Sequence, residues 1–350
     1  MGIVRFFKKM LLYWKVGMTR MTPIKAYQML RYFLLTSILK KEIPWVLEFS
    51  VTYACQCKCV HCSVSKYAVE ANMLTNEEIK RTLDQATEIG IPKVDFFGGE
   101  PLMRKGIVEL IEHASKRGLY VSVTTNGWML TKDMVRDMKR AGINCVNVSI
   151  DSEDEAKHDE LRGLKGVFKR AVEGIRFCHE EGIPCIVSTY VTRERIENFA
   201  KPNDDSQITR ILKLAKEMKA TGVRILFPII SGSWEEKAEQ EFTEQEKRLV
   251  IENIDPSFAF IEGAYSVIKG KKVCQSLNGK MFNISPQGDL QICVAFPDIF
   301  ANVRDMHLRD ALHSMWNHPT YLRNKGGNCC STRGLVREGE TQKAYQIRGC

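Results

Sequence analysis

Val51-Thr52-Tyr53-Ala54-Cys55-Gln56-Cys57-Lys58-Cys59-Val60-His61-Cys62 carries a β-rich run, 46–53, to its end and spaces three of its cysteines as C-x3-C-x2-C just beyond it. Three thiolates at that spacing, from Cys55, Cys59 and Cys62, can wrap one corner of a cubic 4Fe-4S cluster and leave one iron open to an exogenous ligand. Cys57 has no place in the pattern and is expected to be an unligated neighbour. Two other readings stand beside this one. A zinc site would favour paired C-x2-C elements and a fourth ligand; buried, inert cysteines would need no metal at all.

Outward from this stretch, short β-rich runs alternate with longer helical ones. The runs predict strands near 46–53, 93–97, 119–124, 145–150, 183–191 and 222–228. Thr75 with Glu78 makes a capping box and Gly90 closes that helix. Met134, Val135, Met138 and Ala141 stripe another helix before Gly142, and Ile208, Ile211, Leu212 and Ala215 stripe a third after the Asn203-Asp204-Asp205 entry. Such alternation forces a parallel sheet, so the class is α/β, open or curled into a barrel. Beyond 230 the rhythm breaks. An acidic stretch, Glu235 to Glu246, precedes a region with Cys274, Cys293, Cys329, Cys330 and Cys350. The chain therefore divides into an N-terminal segment, 1–45, a βα region, 46–230, and a smaller unit, 231–350.

The hydrophobic fraction of 44% and charged fraction of 27% are those of a globular chain of 350 residues. The net charge of +9 sits at one end: residues 1–41 hold nine bases and no acid, and the 42 bases that remain face 42 acids. A broad basic face for nucleic acid is thus not supported. Within 1–41, Phe7, Met10, Leu11 and Trp14 recur at helical spacing, as do Leu30, Phe33, Leu34 and Ile38. These read either as an in-plane helix pair at the inner face of a membrane or as helices packed on the body with a solvated basic face. No export signal is evident, so the twelve cysteines point to metal or redox chemistry in the cytoplasm rather than to disulfides.

The cysteine segment resembles the signature of the radical S-adenosylmethionine (SAM) superfamily. Phe96-Phe97-Gly98-Gly99-Glu100-Pro101 is similar to the motif by which that family meets the methionyl amino group of SAM. The resemblance extends to Thr125 and Asn126 near the adenosine, although Asn126-Gly127 alone reads as a turn. Ser149, Asp151 and Arg162 resemble the arrangement that holds the SAM carboxylate, which suits the planar fork of an arginine. Ser188 is a candidate for ribose contact. These positions fall at the carboxyl ends of predicted strands, where α/β barrels gather their sites.

The resemblance implies a partial (β/α)6 TIM-like barrel over 46–230. It also implies a 4Fe-4S cluster that splits SAM to abstract hydrogen, and a low-potential donor such as a ferredoxin or flavodoxin. Cys274-x13-Gly288-x4-Cys293 resembles the opening of SPASM and twitch extensions, with Ser285 to Asp289 as a hairpin turn. That implies a second, auxiliary 4Fe-4S cluster on Cys274, Cys293 and some of Cys329, Cys330 and Cys350. The C-x2-C-x5-C run of a full SPASM domain is missing, and purely structural cysteines remain the alternative. Three functions follow: a radical SAM enzyme acting on an apolar or lipid-like substrate at a membrane, a peptide-modifying maturase, or a non-catalytic electron carrier.

Overall fold

Each β-rich run is followed by a helix that carries the chain back to the same end of the sheet, so successive strands lie parallel. The computed structural model describes residues 2–65, 71–229, 231–234, 237, 240, 242–261, 266–268, 271–296 and 298–327. Two helices, α1 (Gly2–Gly17) and α2 (Pro23–Phe33), precede β1 (Val46–Thr52). Then come α3 (Asn76–Ile89), β2 (Lys93–Gly98), α4 (Ile107–Lys116), β3 (Tyr120–Thr125), α5 (Lys132–Ala141) and β4 (Cys145–Ser149). The barrel continues with α6 (Glu155–Arg162), α7 (Val167–Glu180), β5 (Cys185–Tyr190), α8 (Gln207–Glu217) and β6 (Gly222–Leu226). Beyond it lie α9 (Glu244–Asn253), β7 (Ala259–Ile261), the hairpin of β8 (Ser266–Ile268) and β9 (Lys271–Val273), then β10 (Met281–Ile284), β11 (Asp289–Gln291) and β12 (Ala301–Asn302). Two helices, α10 (Leu308–Asn317) and α11 (Pro319–Asn324), follow.

The sheet order is β12-β11-β10-β1-β2-β3-β4-β5-β6-β7, parallel from β10 through β7. The six expected strands form within a residue or two of their predicted bounds. Among the described residues of 231–350, only β8 and β9 pair apart from the main sheet. The region adds β7 beside β6 and β10 beside β1, so the sheet runs unbroken across residue 230. The expected hairpin turn at Ser285 to Asp289 joins β10 to β11, with Gly288 at φ +91 and the Ser285 hydroxyl accepting from the Asp289 amide at 3.0 Å. Cys329, Cys330 and Cys350 lie outside the described residues.

Side chains alternate across the strands. Leu47, Phe49, Val51, Val94, Phe96, Val121, Val123 and Val148 point outward and are wholly buried beneath the helices. The opposite face is polar. Ser122 and Thr124 hydroxyls donate to the Asp95 carboxylate at 2.8 and 3.0 Å, and Arg224 Nε donates to the Ser188 hydroxyl at 2.9 Å. Arg224 on β6 also reaches Thr124 on β3 at 3.4 Å, across two intervening strands. A flat sheet, with strands about 4.8 Å apart, would not allow it. The sheet is therefore curled, with its polar face inside.

The basic N-terminal segment is not a free surface helix pair. In βα units the helices run against the strands, so their carboxyl ends, which carry partial negative charge, gather where the strands begin. Bases from 1–41 meet those ends. Arg31 donates to the Thr87 and Glu88 carbonyls at the end of α3, Arg20 to Lys139 and Ile143 around the end of α5, and Arg5 to Ile251 and Glu252 at the end of α9. Val16, Met21 and Met29 close over Tyr120, Cys145 and Ile186 at the first residues of their strands, and Leu12 fits against Gly222. The two helices thus plug the amino-terminal end of the barrel. Part of the charge excess read from sequence is complementarity to helix termini.

Lys25 is the buried member of this set. Its ammonium donates to the Gly142 carbonyl at 2.8 Å and to Asn144 Oδ1 at 2.6 Å, and burial, with Arg20 nearby, lowers its pKa to about 8. Lys25→Met should leave two buried acceptors short of a donor and cost about 2 kcal/mol, read as a lower urea midpoint. An unchanged midpoint would refute the plug.

Candidate active site

Every carboxyl end from β1 to β5 contributes to one mouth. The cysteine loop leaves β1 and docks on the end of α6, where the Lys58 and Val60 amides donate to the carbonyls of Arg162 and Leu161 at 2.9 and 3.0 Å. Gly163, at φ +61, makes room: a Cβ there would lie 2.7 Å from the Lys58 carbonyl oxygen. Gly98 and Gly99 do the same on the other side, where added Cβ atoms would meet the oxygens of Thr52, Ala54 and Tyr53 at 2.1 to 2.5 Å. The two glycines predicted to face a ligand are thus required first by the close approach of β2 to the cysteine loop.

Cys55 is exposed, Cys59 and Cys62 are half-buried, and Cys57 turns inward. Asn126 Nδ2 donates to Cys55 Sγ at 3.7 Å and Arg162 Nη1 to Cys59 Sγ at 3.7 Å. Hydrogen bonding with Cys57, with Arg162 adjacent, lowers the Cys59 thiol to about 6. Among the described residues no three His, Cys, Asp or Glu side chains close on a point where a single ion would sit. A four-iron cluster takes its thiolates on separate irons, and hydrogen bonds to the sulfurs tune it. The donor set fits such a cluster.

Asp151 is the hub behind the loop. It is wholly buried, and Arg162 Nη2 lies 2.6 Å from one carboxylate oxygen, with His61 Nε2 at 3.5 Å and Arg195 Nη1 at 3.8 Å. Burial opposes its ionisation, but Arg162, His61 and Arg195 outweigh that and hold the carboxyl well below its usual range. His61 and His158 are buried and pushed down to about 4, hence neutral near pH 7. Arg162, expected to meet the SAM carboxylate, is thus already paired, with Asp151 as its counter-ion.

Glu100 is also turned inward. Its carboxylate accepts from the Thr125 hydroxyl at 2.7 Å and from the Asn126 and Leu102 amides at 2.8 and 3.1 Å, so it ties β2 to β3 rather than presenting itself at the mouth. Burial pushes its pKa up to about 7 against the pull of those donors. A carboxyl raised from 4.5 to about 7 stabilises the fold fully below its unfolded value and loses that contribution as pH climbs through 7. The loss is of order 3 kcal/mol. His61 and His158 act in the opposite sense over an overlapping window, so the informative quantity is a difference. From about pH 5 to about pH 8, metal-free wild type should lose stability relative to Glu100→Gln in urea titrations; parallel curves would disprove the assignment.

Ser149 and Ser188 sit side by side in the β4–β5 register, and Ser188 is engaged by Arg224. The sequence reading missed the brace on the far side of the loop. There the Ser233 amide donates to the Cys62 carbonyl at 2.9 Å, and Trp234 packs with Tyr190 and His61, ring centroids 5.7 to 5.9 Å from its own. Residues 232–234 carry no periodicity that could have revealed this. Cys274 and Cys293 belong elsewhere: Cys274 precedes β10 and Cys293 follows β11. Burial first, then the neighbouring Cys274, pushes the Cys293 thiol up to about 12.

Residues 49–201 match the family model of the Radical SAM superfamily. That span is a radical SAM domain. The superfamily's cofactors are a 4Fe-4S cluster and SAM, in keeping with the donor set after β1. Among curated relatives, an AdoMet-dependent heme synthase of Methanosarcina barkeri is 32% identical over 207 residues, 59% of this chain and 57% of that one. A PqqA peptide cyclase of Granulibacter bethesdensis is 28% identical over 341 residues, 88% of this chain and 85% of that one. The chain spans only about half the length of the heme synthases it matches. Streptococcus suis SuiB bound to its precursor peptide SuiA shares the fold, with TM-score 0.67 and 19% identity over 85% of this chain and 71% of that one.

Proposed function

We propose that this chain is a radical SAM enzyme that cleaves SAM reductively and acts on a peptide or protein side chain. The observation that carries the first half is the pairing of donors with sulfurs at the strand ends: Asn126 on Cys55 and Arg162, held by Asp151, on Cys59. When bound, the cluster supplies the electron that splits the sulfonium C–S bond of SAM, giving the 5′-deoxyadenosyl radical that takes hydrogen from an unactivated carbon. The work of the chain is orientation. Arg162 and Asn126 hold the ligating thiolates in place, Asp151 keeps Arg162 charged and aimed, and Glu100 locks β2 to β3 beneath them. The remaining candidates at the mouth, Ser149 and Ser188, are read as SAM contacts, and a ferredoxin or flavodoxin as the electron donor.

The peptide half rests on reach. Similarity to the peptide cyclase runs through the barrel and on into the C-terminal region, whereas similarity to the heme synthase covers a shorter span. The lipid-like substrate drawn from the N-terminus loses its motive, because those helices close the end of the barrel opposite Cys55, Cys59 and Cys62. We read Cys274 and Cys293, with some of Cys329, Cys330 and Cys350, as ligands of one auxiliary cluster.

Anaerobic reconstitution followed by dithionite and SAM should yield 5′-deoxyadenosine; none would favour an electron carrier. Cys293→Ala should lose about half the iron yet keep SAM cleavage, since its cluster is not the one that meets SAM. Equal iron in the variant and the wild type would remove the auxiliary cluster.

A further inference from the structure

The plug formed by α1 and α2 has a second face. Among the described residues, 15 of the 21 large apolar side chains that remain exposed fall within residues 4–39. On α2 and the π-helical turn after it, Ile24, Tyr27, Leu30, Leu34 and Ile38 recur every three or four residues, opposite the buried Lys25, Gln28 and Tyr32. On α1 and the turn after it, Phe7, Leu11, Trp14 and Met18 make a similar stripe, with Trp14 63% exposed, while Leu12 faces the barrel. Scattered exposed apolar residues are ordinary, but a concentration on this scale on one end of a molecule marks an interaction surface.

We propose that this face docks on an anionic lipid surface, with the helices lying in the plane of the interface and the active-site mouth turned away from it. Four lysines, Lys9, Lys15, Lys40 and Lys41, are exposed around the apolar stripes without an acidic partner among the described residues. The bases spent on helix ends, Arg5, Arg20, Lys25 and Arg31, are not available for this role. A second copy of the chain is a poor occupant: residues 1–41 contain no acid, so two such faces would set lysine against lysine. An anionic bilayer offers hydrocarbon for the stripes and negative charge for the lysines. No helix of the described residues is long and apolar enough to cross a membrane, so the contact is peripheral.

Orientation follows from the fold. The docking face covers the residues at which β3, β4 and β5 begin, Tyr120, Cys145 and Ile186. The cysteines lie beyond the other end of the sheet. This inference goes beyond the proposed reaction and is tested without it.

Purified chain should float with vesicles of equal phosphatidylglycerol and phosphatidylcholine, less with phosphatidylcholine alone, and less at high salt. Phe7→Glu/Trp14→Glu/Leu30→Glu alters only exposed positions and should weaken vesicle binding at least about tenfold while SAM cleavage with dithionite is unchanged. Doxyl-labelled lipid should quench tryptophan emission in the wild type and markedly less in Trp14→Phe, where the remainder comes from Trp45, packed on Tyr32 and Phe33 of α2, while Trp128 and Trp234 lie near the mouth. Absence of vesicle binding, or equal binding by the triple variant, overturns the docking face. Quenching of equal extent in Trp14→Phe and the wild type overturns the orientation. A wild-type dimer that the triple variant converts to monomer, with no vesicle binding, assigns the face to a second copy instead.

Discussion

Cys59→Ala should bring iron and sulfide after anaerobic reconstitution down to the level of the auxiliary cluster alone and reduce 5′-deoxyadenosine to the no-enzyme background. Cys59 sits between the two groups that define the site: its sulfur accepts from Arg162, and Cys57 with Arg162 lowers its thiol to about 6. Ligation requires the thiolate, which the neighbouring Arg162 guanidinium favours at Cys59. Loss of one of three thiolates leaves two, and a cluster so held has a second open iron and a weak seat. The control is Cys57→Ala. Cys57 points inward, so its alanine variant should retain the cluster. Iron that survives in the Cys59 variant, or disappears in the Cys57 variant, would show that the ligand set has been misassigned.

Asp151→Asn should be the most destabilising single change at the mouth, by about 3–5 kcal/mol, because it removes the counter-ion of a buried arginine and leaves the charge behind. Arg162 and Asp151 are both almost inaccessible, and Arg195 leans on the same carboxylate. The variant should also bind SAM more weakly, since Arg162 is then free to swing from Cys59. Replacing both partners by apolar residues, Asp151→Leu with Arg162→Met, should restore part of the stability but none of the cleavage. That split separates a charge held for function from one held for the fold. Urea titration and equilibrium SAM binding on the same preparations decide it. Unaltered stability in Asp151→Asn would mean that the hub is not a hub.

Strand positions were legible because each β-rich run is short, apolar and fenced by turn residues, and helix ends because their caps are side chains. Thr75 and Glu78 form the reciprocal box, and Gly90 and Gly142 close their helices at φ +102 and +89. The cysteine spacing and the Gly-Gly-Glu turn were legible as a pattern. A second demand on the turn was not, since Gly98 and Gly99 are also constrained by the backbone oxygens of Thr52, Tyr53 and Ala54, more than forty residues earlier. Glu100 gave the same difficulty. The carboxylate reads as a ligand for an ammonium, and its three donors, two of them backbone amides, are visible only in the structure. The sequence leaves the N-terminal bases open between a lipid surface and the body of the protein, because the partners of Arg5, Arg20, Lys25 and Arg31 include carbonyls, which no sequence displays. β10 escaped notice as a neighbour of β1 because more than two hundred residues separate them.

The way Arg5, Arg20, Lys25 and Arg31 meet the barrel bears on how this protein can be prepared. An experimenter facing an oily, cationic leader would be inclined to trim it. Cutting at residue 42 would uncover the tails of three helices and the floor of the barrel together. The shortened chain should arrive as aggregate, and its failure to bind lipid would then report collapse rather than a missing anchor. Recoding the outward side chains while keeping those four cations is the route to a well-behaved sample.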